Sequence, residues 1–369
     1  MLPAAPKDVG RLSDVFTSAL ASVGGGGENR LRIPKVRHSV VILVDGLGFE
    51  NLKDNPGYAR FLNSNLHESI RCEFPSTTAT SLAGLSTGLR SNHHGLIGYA
   101  VFDRQSGQFM NLLNGWSNVS EASKFKTVPA LSESANVKVS VIGPKAYESS
   151  GFTELTMKGA DYLSAERLSE RFSSSEKLIR TEPASLTYLY IPELDQIAHR
   201  FGSESNEWLA ALEELDLVVN RFASKLGDGV GVILTADHGV MDVSSDGQIF
   251  LDDFDWYCNS VIATAGDPRC NFVYLNGGAE SPNSIIKMAR EAWGQVAYVC
   301  TPAELSAAGW QLSGSLNQRI TPDFYIIWRD SFVGYDRRTA KPSHLKMIGQ
   351  HGSITDREMR VPFIKFGSY

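Results

Sequence analysis

Short apolar runs that stop at polar turns recur along this chain, with amphipathic segments between many of them. The clearest run is His38 to Val44 (HSVVILV), which ends at Asp45-Gly46. Val137 to Ile142, Leu186 to Ile191, Val230 to Thr235, Phe324 to Trp328 and Phe363 to Phe366 repeat the shape. Runs this short and this continuously apolar predict strands covered on both faces. Between the runs, Trp208, Leu209, Leu212, Leu215, Val219, Phe222 and Leu226 form one helical face. Leu12, Val15, Phe16, Leu20 and Val23 predict another helix from Val9 to about Val23, broken by the run Gly24 to Gly27. The alternation predicts an α/β fold, with a mostly parallel central sheet and helices on both faces. Residues 1–30 read as an N-terminal helix and glycine-rich linker, and 31–369 as the main domain. A strand–helix–strand pattern at about 270–310 is expected to be a small inserted lobe that caps the site and reads a leaving group.

Composition narrows the function classes. With 369 residues and 42% hydrophobic content, the chain can bury a large core. A formal charge of -6 and no dense run of Lys and Arg argue against a nucleic-acid surface. The four cysteines, Cys72, Cys258, Cys270 and Cys300, form no C-x-x-C pair and read as thiols of a reducing compartment. No basic head with an apolar core opens the chain, and no apolar run approaches the roughly 20 residues that span a bilayer. The expectation is a cytoplasmic, enzyme-sized protein with no membrane partner and an open oligomeric state.

In parallel sheets, ligands sit at the carboxyl ends of strands. Asp45 closes the first strand, Asp195 lies just past LTYLYIP, and Asp237 and His238 close GVILTA. A single Asp after a strand is ordinarily a cap or turn former, so the argument rests on the set. Asp195 and His199 are four apart, which puts both on one face of a helix. Gly239 is expected to allow the sharp turn that lets Asp237 and His238 reach one ion. His351 lies in a loop flanked by Gly349 and Gly352. His94 reads as structural, and His38, His67, His93 and His344 as surface or packing residues. Imidazole with carboxylate suits Zn²⁺ or a neighbouring divalent ion, and six such ligands divide into two triads with open positions.

The segment Phe74-Pro-Ser-Thr-Thr-Ala-Thr80 looks like a helix start, with Leu82 and Leu85 on the buried side. Ser76 or Thr77 would serve there as a plain cap. A helix N-terminus also binds phosphate, and a threonine hydroxyl becomes a nucleophile when a metal lowers its pKa.

Together these residues resemble the alkaline phosphatase superfamily, and within it the nucleotide pyrophosphatase/phosphodiesterase branch. The resemblance rests on Asp45-Gly46, on Phe74-Pro75-Ser76-Thr77-Thr78 with Gly88 ten residues on, on His94-Gly95, and on the later Asp and His pairs. It implies an alkaline-phosphatase-like fold and places the nucleophile on Thr78 rather than Thr77. It further implies that Asp195, His199 and His351 hold one zinc, while Asp45, Asp237, His238 and Thr78 surround a second. The implied reaction is hydrolysis of phosphate diesters or nucleotide pyrophosphates through a covalent threonine intermediate.

Two departures bear on substrate. Tyr99 stands where relatives place a phosphate-binding Asn, and Ala79-Thr80-Ser81-Leu82 replaces Phe-Pro-Asn-His after the nucleophile. Tyr99 is therefore a candidate substrate-binding residue. A phosphomonoesterase would need a basic clamp, for which Arg90, Lys145 and Arg200 are the candidates. A phosphonate hydrolase on the same site is another alternative, and a metal-binding pseudoenzyme is the non-enzymatic one. Sulfatases need C-x-P-x-R or S-x-P-x-R, which Cys72-Glu-Phe-Pro75 does not supply.

Overall fold

The protein is described here by a computed structural model covering residues 1–7, 9–114, 129–278, 281–311 and 317–369. A six-stranded sheet forms its centre, in the order Ile364–Gly367, Val230–Thr235, His38–Val44, Ser185–Ile191, Lys138–Gly143 and Asp161–Ser164. All neighbours pair in parallel except the edge strand Ile364–Gly367, which runs antiparallel to Val230–Thr235. Successive strand residues point to opposite faces. Every residue of His38–Val44 and Val230–Thr235 is buried, so both faces of this sheet are covered. The helix Ser13–Ser22 packs on the first strand and on the helix Thr78–Thr87. Farther along the sheet, Leu168–Thr181 packs on Ser185–Ile191 and on Asn206–Ala223. The latter buries Trp208, Leu212, Leu215, Val219 and Phe222, the face expected from its periodicity.

A second sheet is wholly antiparallel, in the order Val261–Asp267, Cys270–Leu275, Phe324–Trp328 and Ala297–Cys300. Phe324 was expected to open another strand of the central sheet, and instead it lies here. A short run buried on both faces reads the same in either kind of sheet, so periodicity could not separate them. Alternation along Phe324–Trp328 is complete. Tyr325 and Ile327 join the main core, whereas Phe324, Ile326 and Trp328 join a second core with Trp293, Ile285 and Ile286 of the helix Pro282–Trp293. The strand–helix–strand unit near 270–310 is thus completed by one strand before it and one after it.

A buried ion pair ties the second sheet to the short helix Asp356–Met359, which precedes the edge strand of the central sheet. Arg269 follows the strand Val261–Asp267 and donates to both carboxylate oxygens of Glu358 at 3.1 and 2.7 Å, with both side chains fully buried. Arg269 also donates to the carbonyls of Asp330 and Phe332, and Glu358 accepts from the Ser353 amide. Such a pair is costly to break one partner at a time, because the survivor is left charged and dry. Among the described residues, no helix is long and apolar enough to cross a membrane.

Glu358→Ala should therefore lower unfolding stability by about 3–5 kcal/mol. Replacing both Arg269 and Glu358 with apolar residues of similar volume should recover much of that loss. Urea unfolding of the two variants against the parent measures the difference.

Candidate metal centre and active site

Three adjacent parallel strands set the site. In the pairing register Val44 lies beside Ile191 and Leu43 beside Thr235, so the chain leaves all three strands at one level. Asp45 follows the first of them. Asp195 lies in the helix Glu193–Phe201, with His199 one turn later as its spacing required. Asp237 and His238 follow the third strand. At Gly239 the turn requires no left-handed backbone. A β-carbon there would lie 2.0 Å from the Arg357 carbonyl and 2.7 Å from Gly48 Cα. Close backbone approach, rather than a special φ, is what demands glycine. Gly46 is different: its φ is 75°, and it packs 2.9 Å from the Asp195 β-carbon by the same construction.

The side chains converge in two groups, Asp45 with Asp237 and His238, and Asp195 with His238 and His351. His238 belongs to both. Its Nε2 lies 3.4 Å from Asp45 Oδ1 and 3.5 Å from Asp237 Oδ2. His351 stacks on His238 at 3.7 Å between ring centroids, and His199 lies 5.2 Å beyond His351. His199 Nε2 is 3.2 Å from Asp195 Oδ2, so this ring stands at the outer end of a row of three imidazoles.

The residues fit divalent cations on three counts. Each imidazole turns Nδ1 to a backbone carbonyl: His199 to Gly349 at 2.7 Å, His351 to Ser76 at 2.9 Å, and His238 to Gly239 at 3.2 Å. A carbonyl only accepts, so each Nδ1 carries a proton; Nε2 of His238 and His351 keeps its lone pair for a metal, and Nε2 of His199 would gain one as an ion displaces its proton. Burial also pushes the pKa of His238 and His351 down, holding them neutral as ligands must be. Lastly, Asp45 Oδ1, Asp195 Oδ1 and Asp237 Oδ2 are buried without a hydrogen-bond donor. Buried acceptors left this way mark the place of a missing partner.

Electrostatics tell the same story. Burial, then repulsion from its neighbours, raises Asp45 far above the carboxylate range, and burial with repulsion from Asp195 raises Asp237 to about 7. Burial also opposes charge on Asp195 and His199, but their mutual attraction outweighs it. Asp195 is thereby held low, and His199 rises to about 9. Tyr190 donates a short hydrogen bond to Asp45 Oδ2, a second contact that orients this carboxylate.

Thr78 is the first residue of its helix, and Oγ1 lies 3.1 Å from His238 Nε2. The hydroxyl of Thr77 points elsewhere and donates to Thr80 Oγ1 at 3.2 Å. Ser76 does not cap the helix. Its hydroxyl donates to the Ser353 carbonyl at 2.7 Å and accepts from the Gly352 amide at 3.0 Å. Combined with the His351 bond to the Ser76 carbonyl, this ties the loop before Thr78 directly to the loop of His351.

A cavity of about 690 Å³ opens over these groups. Tyr99 lines it, as do Phe109 and Asn111 of the hairpin that follows. Of residues 270–310, Asn271 alone among those described reaches the wall, so the expected cap is supplied instead by Thr264 to Pro268 and Gly334 to Asp336. None of Arg90, Lys145 and Arg200 lines it; Lys341 is the one described Lys or Arg that does. His344, expected to pack or face solvent, lies at the wall. Asp267 was not anticipated, although it too closes a strand, because that strand belongs to the antiparallel sheet. Burial raises its carboxyl to about 7.

The sequence model of type I phosphodiesterase/nucleotide pyrophosphatase matches residues 39–354. This chain belongs to that family. An uncharacterized pyrophosphatase/phosphodiesterase of Schizosaccharomyces pombe is 25% identical over 226 residues, 58% of this chain and 47% of that protein. The chain thus spans about half the length of that curated relative. Human ectonucleotide pyrophosphatase/phosphodiesterase 5 superposes with a TM-score of 0.67 at 17% identity, covering 89% of this chain and 87% of its own. Its murine counterpart gives 0.66 at 17% identity, covering 89% and 88%. An inactive threonine-to-alanine variant of the murine protein in complex with AMP gives 0.65, also at 17% identity, with the same coverage. These likenesses establish the alkaline-phosphatase-like fold for this phosphodiesterase-family chain.

The metal-free protein should lose stability as pH rises. Asp237 and Asp45 have folded-state pKa values above the unfolded value of about 3.9, so their contribution is complete below that value. It fades as pH climbs through the folded value, about 7 for Asp237. His238 and His351, whose values are depressed, act in the opposite sense up to the unfolded imidazole value of about 6.5. Denaturant titrations of stripped protein between about pH 6.5 and 8 should therefore show the decline, and added zinc should reverse it. A stability that rises across that window would contradict the assignment.

Proposed function

We propose that this protein hydrolyses phosphate diesters or nucleotide pyrophosphates at a two-metal centre, with Thr78 as nucleophile. The observation that carries the reading is the position of Thr78 Oγ1, at a helix start and 3.1 Å from an imidazole shared by both ligand groups. Asp195, His351 and His199, whose Nε2 lies 3.2 Å from Asp195, would hold one ion, and Asp45, Asp237 and His238 the other, beside Thr78; His238, which also approaches the first group, would serve only the second. Zn²⁺ suits this donor set of carboxylate and imidazole nitrogen. Bound there, two such ions would act as Lewis acids toward the attacking and leaving oxygens.

The rest falls to the chain. The helix Thr78–Thr87 presents its first amides and partial positive charge to phosphate oxygens. Thr78 Oγ1 forms the new bond to phosphorus as the bond to the leaving oxygen breaks, in line on the far side. Water then hydrolyses the threonine ester, returning the hydroxyl and releasing a phosphate monoester. His238, His351 and His199 are held in orientation by their bonds to backbone carbonyls.

A diester is favoured over a monoester by the charge of the cavity. A monoester dianion calls for a basic clamp, and the candidate arginines and lysine do not line the wall. The wall also carries apolar side chains, Leu82, Val141, Phe152 and Met157 among them, which suit an organic group on the phosphate that stays behind. AMP in the murine relative is a group of that kind. Tyr99 occupies the wall at the position of the relatives' Asn and is the candidate substrate contact. Four unpaired cysteines support a reducing, cytoplasmic setting.

Hydrolysis of bis(4-nitrophenyl) phosphate by the zinc-loaded protein tests the reading. Thr78→Ala should lower turnover by at least about 10³-fold, while Thr77→Ala keeps most of it. Turnover that survives complete removal of metal, or the reverse order of the two variants, would refute the mechanism.

A further inference from the structure

Asp267 is a buried carboxylate without a countercharge. It is 6% exposed and lines the cavity. Its Oδ2 accepts the Tyr99 amide at 3.2 Å, and no described side chain donates to its other oxygen. The buried acids nearest it in the second sheet and its surroundings are paired with arginine: Asp103 with Arg319, Asp336 with Arg338, and Glu358 with Arg269. Arg269 is only two residues from Asp267 yet turns away to Glu358. A dry carboxylate facing a cavity is stabilised by a donor or a cation, and it repels an anion.

Its place in the site says which part of a substrate it meets. The imidazoles run in a row from Thr78: His238 at 3.1 Å from the hydroxyl, then His351, then His199. In-line displacement puts the leaving oxygen at the end of the site away from Thr78. Asp267 is at that end. A β-carbon on Gly352, next to His351, would fall 3.0 Å from the Asp267 β-carbon, and His199 is among the charges that act on Asp267. Asp336 also faces this part of the cavity, but Arg338 holds both its oxygens.

We infer that Asp267 selects the leaving group, favouring uncharged alcohols that carry hydroxyl donors and disfavouring anionic ones such as pyrophosphate. The inference deepens the diesterase reading above and rests on it: among the substrates of that site, it separates diesters of polyols from nucleoside triphosphates. The carboxylate would accept a hydroxyl of the departing alcohol, while Tyr99 fixes it through the backbone amide.

Two substrates with the same retained group isolate the effect: the glycerol ester of AMP, and ATP, whose leaving group is pyrophosphate. They are compared on zinc-loaded protein at pH 9, above the shifted carboxyl value, with bis(4-nitrophenyl) phosphate as a third substrate. The parent protein should show kcat/KM for the glycerol ester at least about tenfold above that for ATP, since like-charge juxtaposition is strongly disfavoured. Asp267→Asn, with zinc content and unfolding midpoint checked against the parent, should shrink that ratio from both sides. Equal or faster cleavage of ATP by the parent overturns the inference and leaves the diesterase reading standing. So does a ratio unchanged in Asp267→Asn, or cleavage of the bis-aryl ester with neither adenylate cleaved. Failure of all three substrates in the parent would mean that the diesterase reading itself is wrong.

Discussion

Three buried carboxylates at the ends of three neighbouring strands are the constraint on which this structure turns. Asp45, Asp195 and Asp237 each keep one oxygen without a donor. Removing such charges from water costs several kcal/mol per ion after relaxation. Without metal, Asp45 and Asp237 avoid it by holding protons and Asp195 by facing His199, so keeping all three ionised together calls for further cations close by. The imidazoles cannot supply these alone, because burial holds His238 and His351 in the neutral form. Ions bound as proposed would therefore couple folding to metal binding, with the sheet supplying the geometry and the ions the balancing charge.

That dependence explains why the surrounding loops are tied so tightly. The segment from Gly349 to Glu358 touches each part of the site in turn. The Gly349 carbonyl orients His199, His351 and Gly352 bind Ser76, and the Glu358 carbonyl accepts the Gly239 amide beside His238. Its carboxylate then reaches Arg269 on the second sheet. The loop before Thr78, both ligand groups and the antiparallel sheet thus share one covalent segment. An atom displaced in any of them is felt in the others, which is how loops achieve the precision ordinarily given by strands.

Much of this was legible in the sequence. His38–Val44 and Val230–Thr235 form as their apolar runs require, and Asp45, Asp237 and His238 lie at their ends. Their legibility has a physical cause, since parallel strands buried on both faces carry an unbroken signal. The same signal misplaced Phe324–Trp328, because burial on both faces also occurs in an antiparallel sheet between two cores. Ser76 and Tyr190 were invisible for another reason. Each acts through a bond to a residue distant in sequence, Ser76 to Ser353 and Tyr190 to Asp45, and no local pattern encodes that. Gly239 was singled out for the right residue and the wrong cause, crowding by the Arg357 carbonyl having no signature of its own.

The charge distribution completes the picture. Arginines neutralise buried acids throughout the second sheet and its surroundings, at Asp103, Asp336 and Glu358. In the cavity wall Asp336 keeps its arginine, but Asp45, Asp195 and Asp267 have none, and Lys341 at the exposed rim is the one described Lys or Arg in the wall. Positive charge at the centre is thereby left to whatever the carboxylates hold. An arginine beside Asp45 or Asp195 would satisfy an orphaned oxygen and close a ligand position, so a cation site excludes the usual remedy for buried acid. The same exclusion leaves Asp267 unpaired at the far end of the row of imidazoles. A cation site of the kind proposed would therefore meet the rest of its substrate with negative and apolar surface, and its selectivity would follow from the charge it withholds as much as from the charge it holds.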